Sequence, residues 1–312
     1  MIEVRSEVVR DTLYRTWSRV NRLGRDTATD SDESPLRSEL FSADQMELHG
    51  KVLAGMHRLA DGRARERLLA RLSENEALLL DVHDLLTEDV QSDRRITPAG
   101  EWLLDNFYVI EEQVRTASRH LPKGYSRELP SLAAGPSAGL PRVYDIALET
   151  ISHGDGRVDP ENLSRFVAAY QMESVLTLGE LWAIPIMLRL ALIENLRRVG
   201  AHIAADRADH DSAARWAVQM TETAAKDPTS LILAIADMAR SDPPMVSSFV
   251  AELVRHLQGQ GAPLALPLTW IEQKLSESGL TIEQMVRVEN QQQAADQVTM
   301  SNSIGSLRFL GA

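Results

Sequence analysis

His202, Asp206 and His210 stand at intervals of four, so an unbroken helix places three metal-competent side chains along one face. Such spacing arises readily in an Asp-rich stretch, and the simpler reading is a solvated helix surface. Asp30-Ser-Asp32 has the D-x-D spacing with which sugar transferases hold a metal and a nucleotide diphosphate, but no strand precedes it. Asp155-Gly-Arg-Val-Asp159 begins like a calcium loop, yet the regular oxygen ligands and the closing Glu are out of register, and a turn is expected. Asp105 with Glu111 or Glu112 has the residue types for glycoside hydrolysis, which needs two carboxyl groups ~5–10 Å apart. Sequence alone does not separate that pair from surface acids. His120 and His153 adjoin loops with Ser neighbours but no nucleophile elbow, and neither G-x-G-x-x-G nor G-x-x-x-x-G-K-[ST] occurs. The residues therefore assign no catalytic, cofactor-binding or metal site.

The elements that would position these groups read as helices. Val8, Leu13, Trp17 and Val20 give an amphipathic helix over 1–23, and the polar run that follows, 24–41, reads as a flexible connector. Ser42 or Asp44 caps a helix to about Leu59, and Arg65 to about Val90 gives another, with Leu68, Leu72, Leu79, Val82 and Leu86 inward. Thr97-Pro98 is a strong helix start. Leu103, Phe107, Ile110, Val114 and Ala117 then form one stripe, and Pro122 and Gly124 stop the helix. A helix restarts over Val143–Ile151, and Asp159-Pro160 opens the next.

Thr177-Leu-Gly-Glu180 is a capping box, and the helix it opens is apolar on nearly every face to Ile193. It is expected to be the central buried element, about 177–199, kinked at Pro185. Beyond Gly200 the expectation is a succession of short antiparallel helices, with Asp227-Pro228 and Asp242-Pro243 as repeated cap-and-start devices. The fold class is all-α: an array of antiparallel helical hairpins around the kinked helix. A main helical part spans 42–200, and a second part, 201–312, continues it and ends as though truncated.

Composition agrees. Of 312 residues 44% are hydrophobic, 25% charged and only 5% aromatic, the balance of a globular, helix-rich chain. A net charge of -12 argues against nucleic acid, whose phosphates need a basic surface. Arg63, Arg65, Arg67 and Arg71 interleave with acids and read as a solvated helix face with local ion pairs. The absence of cysteine excludes disulfides, Cys-type zinc sites and thiol nucleophiles. The start lacks the pattern of a secretory signal, and the densest apolar stretch, Leu181–Ile193, is shorter than the ~20 residues a membrane helix needs.

Ile96 to Gln113, Leu121 to Pro130, Gly135-Pro-Ser-Ala-Gly-Leu-Pro-Arg-Val143, Leu178-Gly-Glu-Leu-Trp-Ala-Ile-Pro185, Glu194-Asn-Leu-Arg-Arg198 and Ser301-Asn-Ser-Ile-Gly-Ser-Leu-Arg308 together carry a family pattern. Ser34-Pro-Leu-Arg-Ser-Glu-Leu-Phe41, Asn75-Glu-Ala-Leu-Leu-Leu-Asp81 and Arg165-Phe-Val-Ala-Ala-Tyr-Gln171 extend it. The chain from about residue 34 resembles the N-terminal region of the cyclic β-1,2-glucan synthases. That resemblance implies a much longer bacterial inner-membrane protein, with a glucosyltransferase using UDP-glucose and a divalent metal, a cyclising part and a phosphorylase-like part. None of those catalytic motifs falls on this chain.

The resemblance thus implies a non-catalytic helical domain at the cytoplasmic face of the inner membrane, with no membrane span of its own. Its partner would be the glucosyltransferase domain of the same or a related polypeptide. Trp102, Lys123, Tyr125, Arg127, Glu128, Arg142, Glu180 and Trp182 fall inside the shared blocks and are the signature or interface candidates. In the loop after Leu121, Arg127 and Glu128 can pair with each other or with the preceding helix, and Tyr125 can plug a groove with its hydroxyl at the rim. The loop reads as a structural clamp, with contact to another domain or a glucan chain as the alternative. Two other readings of the whole chain stand beside this one, an independent glycoside hydrolase and a helical adaptor for a protein or membrane-surface partner.

Overall fold

The computed structural model describes residues 34–61, 67–121 and 124–311. The amphipathic segment of 1–23, the D-x-D motif, Arg63, Arg65 and Lys123 lie outside the described residues. The described chain is all-α, without a named strand, and its helices are α1 (Ala43–Met56), α2 (Leu68–Gln91), α3 (Pro98–Asp105), α4 (Phe107–His120), α5 (Arg142–His153) and α6 (Pro160–Glu173). They continue as α7 (Leu178–Lys226), α8 (Leu231–Ser241), α9 (Ser247–Leu257), α10 (Ala265–Ser276) and α11 (Ile282–Gly311).

Local chemistry sets several of the starts. Ser42 forms a capping box with Gln45, Thr97 accepts from the Gly100 amide, Asp159 from Glu161 and Asn162, and Thr177 forms a second capping box with Glu180. Asp242 differs from expectation. It is the left-handed C-cap of α8 rather than the N-cap of α9, since its backbone turns to φ 46° and α9 begins only at Ser247. The single helix expected after Thr97 is broken at Asn106, whose side-chain amide donates to the Trp102 carbonyl while its Oδ1 receives Arg308 of α11 at 2.5 Å.

The greatest departure is at Gly200. α7 runs through it for 49 residues, about 74 Å at 1.5 Å per residue, and α11 spans 30 residues where short helices were expected. A mid-helix glycine costs about 1 kcal/mol. Here Leu79 and Val82 of α2 pack against Gly200, and burial on both sides outweighs that cost. α7 and α11 are antiparallel: Arg189 bonds the Leu310 carbonyl, His202 bonds Asp296, and His210 faces Glu289. Together they pass through two apolar cores. One core gathers α1–α6, Ala183 to Ile203 of α7 and Met300, Ile304 and Leu307 of α11. The other gathers Ala213, Ala217 and Met220 of α7 with α8–α10 and the first turn of α11.

The first core contains a charge knot. Glu194 is fully buried and accepts from Arg71 Nε at 2.9 Å and Nη2 at 2.7 Å, Asn75 at 2.9 Å and Arg198 at 3.0 Å. Burial opposes its charge, but the Arg71 bonds and the Arg71, Arg197 and Arg198 charges outweigh that and hold the carboxyl at about 2. Arg71 is therefore a core contact across 123 residues rather than part of a solvated face. Residues 34–41, the end of the polar run, are tied down on three helices. Leu36 donates to Asn195 at 2.7 Å, Arg37 to Asp296 at 2.9 Å, and Phe41 to the His153 carbonyl at 3.2 Å.

Candidate interaction corner

α5 and α7 begin beside one another, and Arg142 and Glu180 occupy their first turns. Arg142 is 3% exposed and Glu180 0%. Arg142 donates to the two carboxylate oxygens from Nε at 2.5 Å and Nη2 at 2.9 Å. Its Nη1 reaches Ser174 Oγ and its Nη2 the Val175 carbonyl, both at 2.8 Å. Glu180 also accepts from the Thr177 amide at 2.8 Å, closing the capping box. One fork thus fixes the start of α5, the α6–α7 connection and the start of α7. Burial raises the Glu180 carboxyl, but the bonds from Arg142 and Thr177 outweigh it and keep it below its usual value. A fully satisfied ion pair of this kind holds shape. It has no spare proton to move and no free edge for a substrate.

Around the clamp four apolar side chains reach the surface. Met172, Val175, Leu178 and Trp182 are all exposed, Trp182 at 77%, and Leu178 and Trp182 share a face of α7 at i and i+4. Tyr125 opens a 3-10 turn over Tyr125–Glu128 and donates to the Gly179 carbonyl at 3.4 Å, so the signature loop leans on this same corner. Gly124, at φ 89°, supplies the left-handed turn before it. Arg127 and Glu128 are exposed and do not pair with each other among the described residues. Of the eight candidates, Tyr125, Arg142, Glu180 and Trp182 come together here, flanked by Arg127 and Glu128 in the Tyr125 turn. Trp102 is half-exposed on α3, which packs against α11.

A polar seam between the two cores was not legible as such. His202, Asp206 and His210 do share a face, but that face packs on α11 instead of meeting solvent. His202 Nδ1 lies 2.6 Å from Asp296 Oδ2 and 3.7 Å from Asp206. The Asp296 hydrogen bond raises His202 to about 8, and burial raises Asp206 to about 6. As a metal site the trio is compromised, because Asp296 already binds the Arg37 guanidinium, which would stand against a cation. Asp105, Glu111 and Glu112 are exposed, and Asp155 forms the turn expected of it, accepting from Thr299. A groove of about 650 Å³ runs along α7, lined by Arg94, Asp211, Arg215, Glu222 and Lys226 with Val218, and its charges are spent on each other, Arg94 on Asp211 at 3.7 Å and Lys226 on Glu222 at 3.5 Å.

Over 274 residues, 88% of its length, the chain is 31% identical to the cyclic beta-(1,2)-glucan synthase NdvB of Rhizobium meliloti (strain 1021). It is a distant homologue of that glucan synthase. No family model matches the chain. The aligned stretch spans 10% of the length of NdvB, so the similarity to the synthase concerns a small part of it. No helix among the described residues is long and apolar enough to cross a membrane.

Proposed function

We propose that this chain is a non-catalytic helical module of a cyclic β-1,2-glucan synthase-type glucosyltransferase, and that it stabilises or positions the transferase part. The docking face is the α6–α7 corner. The observation that carries this reading is the pairing of a rigid buried clamp, Arg142–Glu180, with four exposed apolar side chains directly around it. A surface of that type loses little entropy on binding, because its backbone is already fixed. The similarity to NdvB supports the choice of partner. UDP-glucose and a divalent metal would act on the transferase, at the cytoplasmic side of the inner membrane.

The test is to co-express the chain and the transferase part of a glucan synthase as separate polypeptides. Wild type is expected to co-purify with the transferase, and the double variant Leu178→Ser/Trp182→Ser is not, with its circular dichroism unchanged. Glucose transfer from UDP-glucose by the purified chain alone would overturn the non-catalytic reading.

A further inference from the structure

His49 of α1 meets Glu149 and His153 at the end of α5. Glu149 and His153 stand four apart on one helix face, and His49 joins them from one hundred residues away in sequence. His49 Nε2 lies 2.7 Å and His153 Nε2 3.4 Å from the same oxygen, Glu149 Oε2, and the three ligand atoms all fall within 4.8 Å of one another. A tetrahedral Zn²⁺ at about 2.0–2.2 Å from nitrogen and oxygen spaces its ligands by roughly 3.3 Å. The trio reaches that spacing with shifts of about 1 Å or less.

The second observation concerns the His153 proton. Its Nδ1 lies 2.7 Å from the Glu39 carbonyl, a pure acceptor, so Nδ1 carries hydrogen. In the neutral ring Nε2 then presents a lone pair to a carboxylate oxygen, acceptor facing acceptor. A proton on Nε2 or a metal ion between them removes that conflict, and an Nδ1–H bond to a backbone carbonyl is how metal-binding histidines are oriented. Both rings are also held by aromatic neighbours: His153 stacks on Phe41 at 3.7 Å and His49 lies parallel to Phe166 at 5.8 Å. Unlike Asp296, Glu149 pairs with no guanidinium among the described residues; its partners are the two imidazoles.

We propose that His49 Nε2, His153 Nε2 and Glu149 Oε2 form a divalent transition-metal site. The two-nitrogen, one-oxygen donor set suits Zn²⁺, with water in the fourth position. Coordination moves the His49 proton to Nδ1. The ion cross-links α1 to α5 and, through Glu39, the 34–41 segment, at a place separate from the docking corner.

The test uses the tag-free 312-residue chain, stripped of metal with a chelator. It is titrated with Zn²⁺ by calorimetry and with Co²⁺ by visible absorption. Expected are one ion per chain, a Zn²⁺-induced rise in melting temperature of several degrees and Co²⁺ d–d bands of a low-coordinate site. His49→Ala and His153→Ala are expected to weaken binding on the order of 100-fold and Glu149→Gln about 10-fold, while His202→Gln leaves it unchanged. Should an alanine variant unfold, imidazole NMR of the wild type decides: Zn²⁺ shifts the His49 and His153 rings and spares His202. No saturable binding, binding that survives His49→Ala and His153→Ala, or ring shifts confined to His202 would each overturn the site.

Discussion

Twelve residues apart on α7, two groups of buried charges have opposite characters. Around Glu194 three arginines and an asparagine face one carboxylate, which is held at about 2. Around Asp206 the acids outnumber the bases. Asp296, Glu289 and Asp209 crowd the seam against His202, His210 and Arg37, and burial pushes Asp206 up to about 6. Both carboxylates are buried on the same helix, and it is the more deeply buried one, Glu194, that stays charged. Burial alone therefore does not decide whether a charge strengthens the fold; the number and sign of its partners do.

The comparison breaks most sharply at the knot. Glu194→Gln removes the buried carboxylate on which Arg71, Arg197 and Arg198 converge and is expected to cost about 3–5 kcal/mol, read from urea unfolding at neutral pH. A loss under 1 kcal/mol would mean that water already screens the knot. The pH sign follows from the depressed carboxyl. Its contribution is complete above the unfolded value near ~4.3 and disappears as pH falls through about 2.

Gly156 tests how the first core holds α11. At φ 77° it turns the chain after α5, and its carbonyl accepts from Ser306 Oγ at 2.9 Å. An added Cβ would strike Ser303 and sit 3.0 Å from the Thr299 carbonyl. Gly156→Ala is expected to cost about 2–3 kcal/mol from positive φ and steric displacement together. The loss should appear as faster hydrogen exchange in the last turns of α11 and leave α8–α10 nearly unchanged.

These two sites also mark what could and could not be read from residue order. Ser42, Thr97, Asp159 and Thr177 announced their helices because a cap acts within three residues of itself. Arg142 and Glu180 fell in the shared blocks, but nothing local says that they bond each other across 38 residues. Arg71 looked solvated because its partner lies 123 residues on. His202, Asp206 and His210 were correctly placed on one face, and the face was misread because α11, which covers it, was expected as short pieces. Gly200 drove that error: its local propensity favours a stop, and only tertiary burial overrides it.

At the seam the expected change has the other sign. Asp206→Asn removes a buried carboxylate whose raised value costs stability progressively as pH climbs from the unfolded value of ~3.9 to about 6, the full cost remaining above that. The variant should gain about 1–2 kcal/mol at pH 8 and nothing below about pH 3, where Asp206 is protonated in both states. His202 acts in the next pH window. Raised to about 8, its contribution is fully present below ~6.5 and lost as pH rises through 8, so the wild type should weaken between pH 6 and 9. Denaturant unfolding from about pH 3 to 9 checks both, and a flat profile would show that the seam is hydrated in solution.

The smallest expected effect on stability belongs to the proposed docking corner. Trp182 is 77% exposed although it stands two residues from the fully buried Glu180, so its ring contributes little to either core. Trp182→Ala should change unfolding by no more than about 0.5 kcal/mol. A buried aromatic removed from a core costs about 3–5 kcal/mol, and the contrast is what gives the measurement its meaning. If Trp182→Ala also weakens binding to the transferase part, the ring acts at an interface and not within the fold. A loss of stability above 1 kcal/mol would instead mean that the ring is already covered in the isolated chain, and the corner would be an internal contact with no free face to offer a partner.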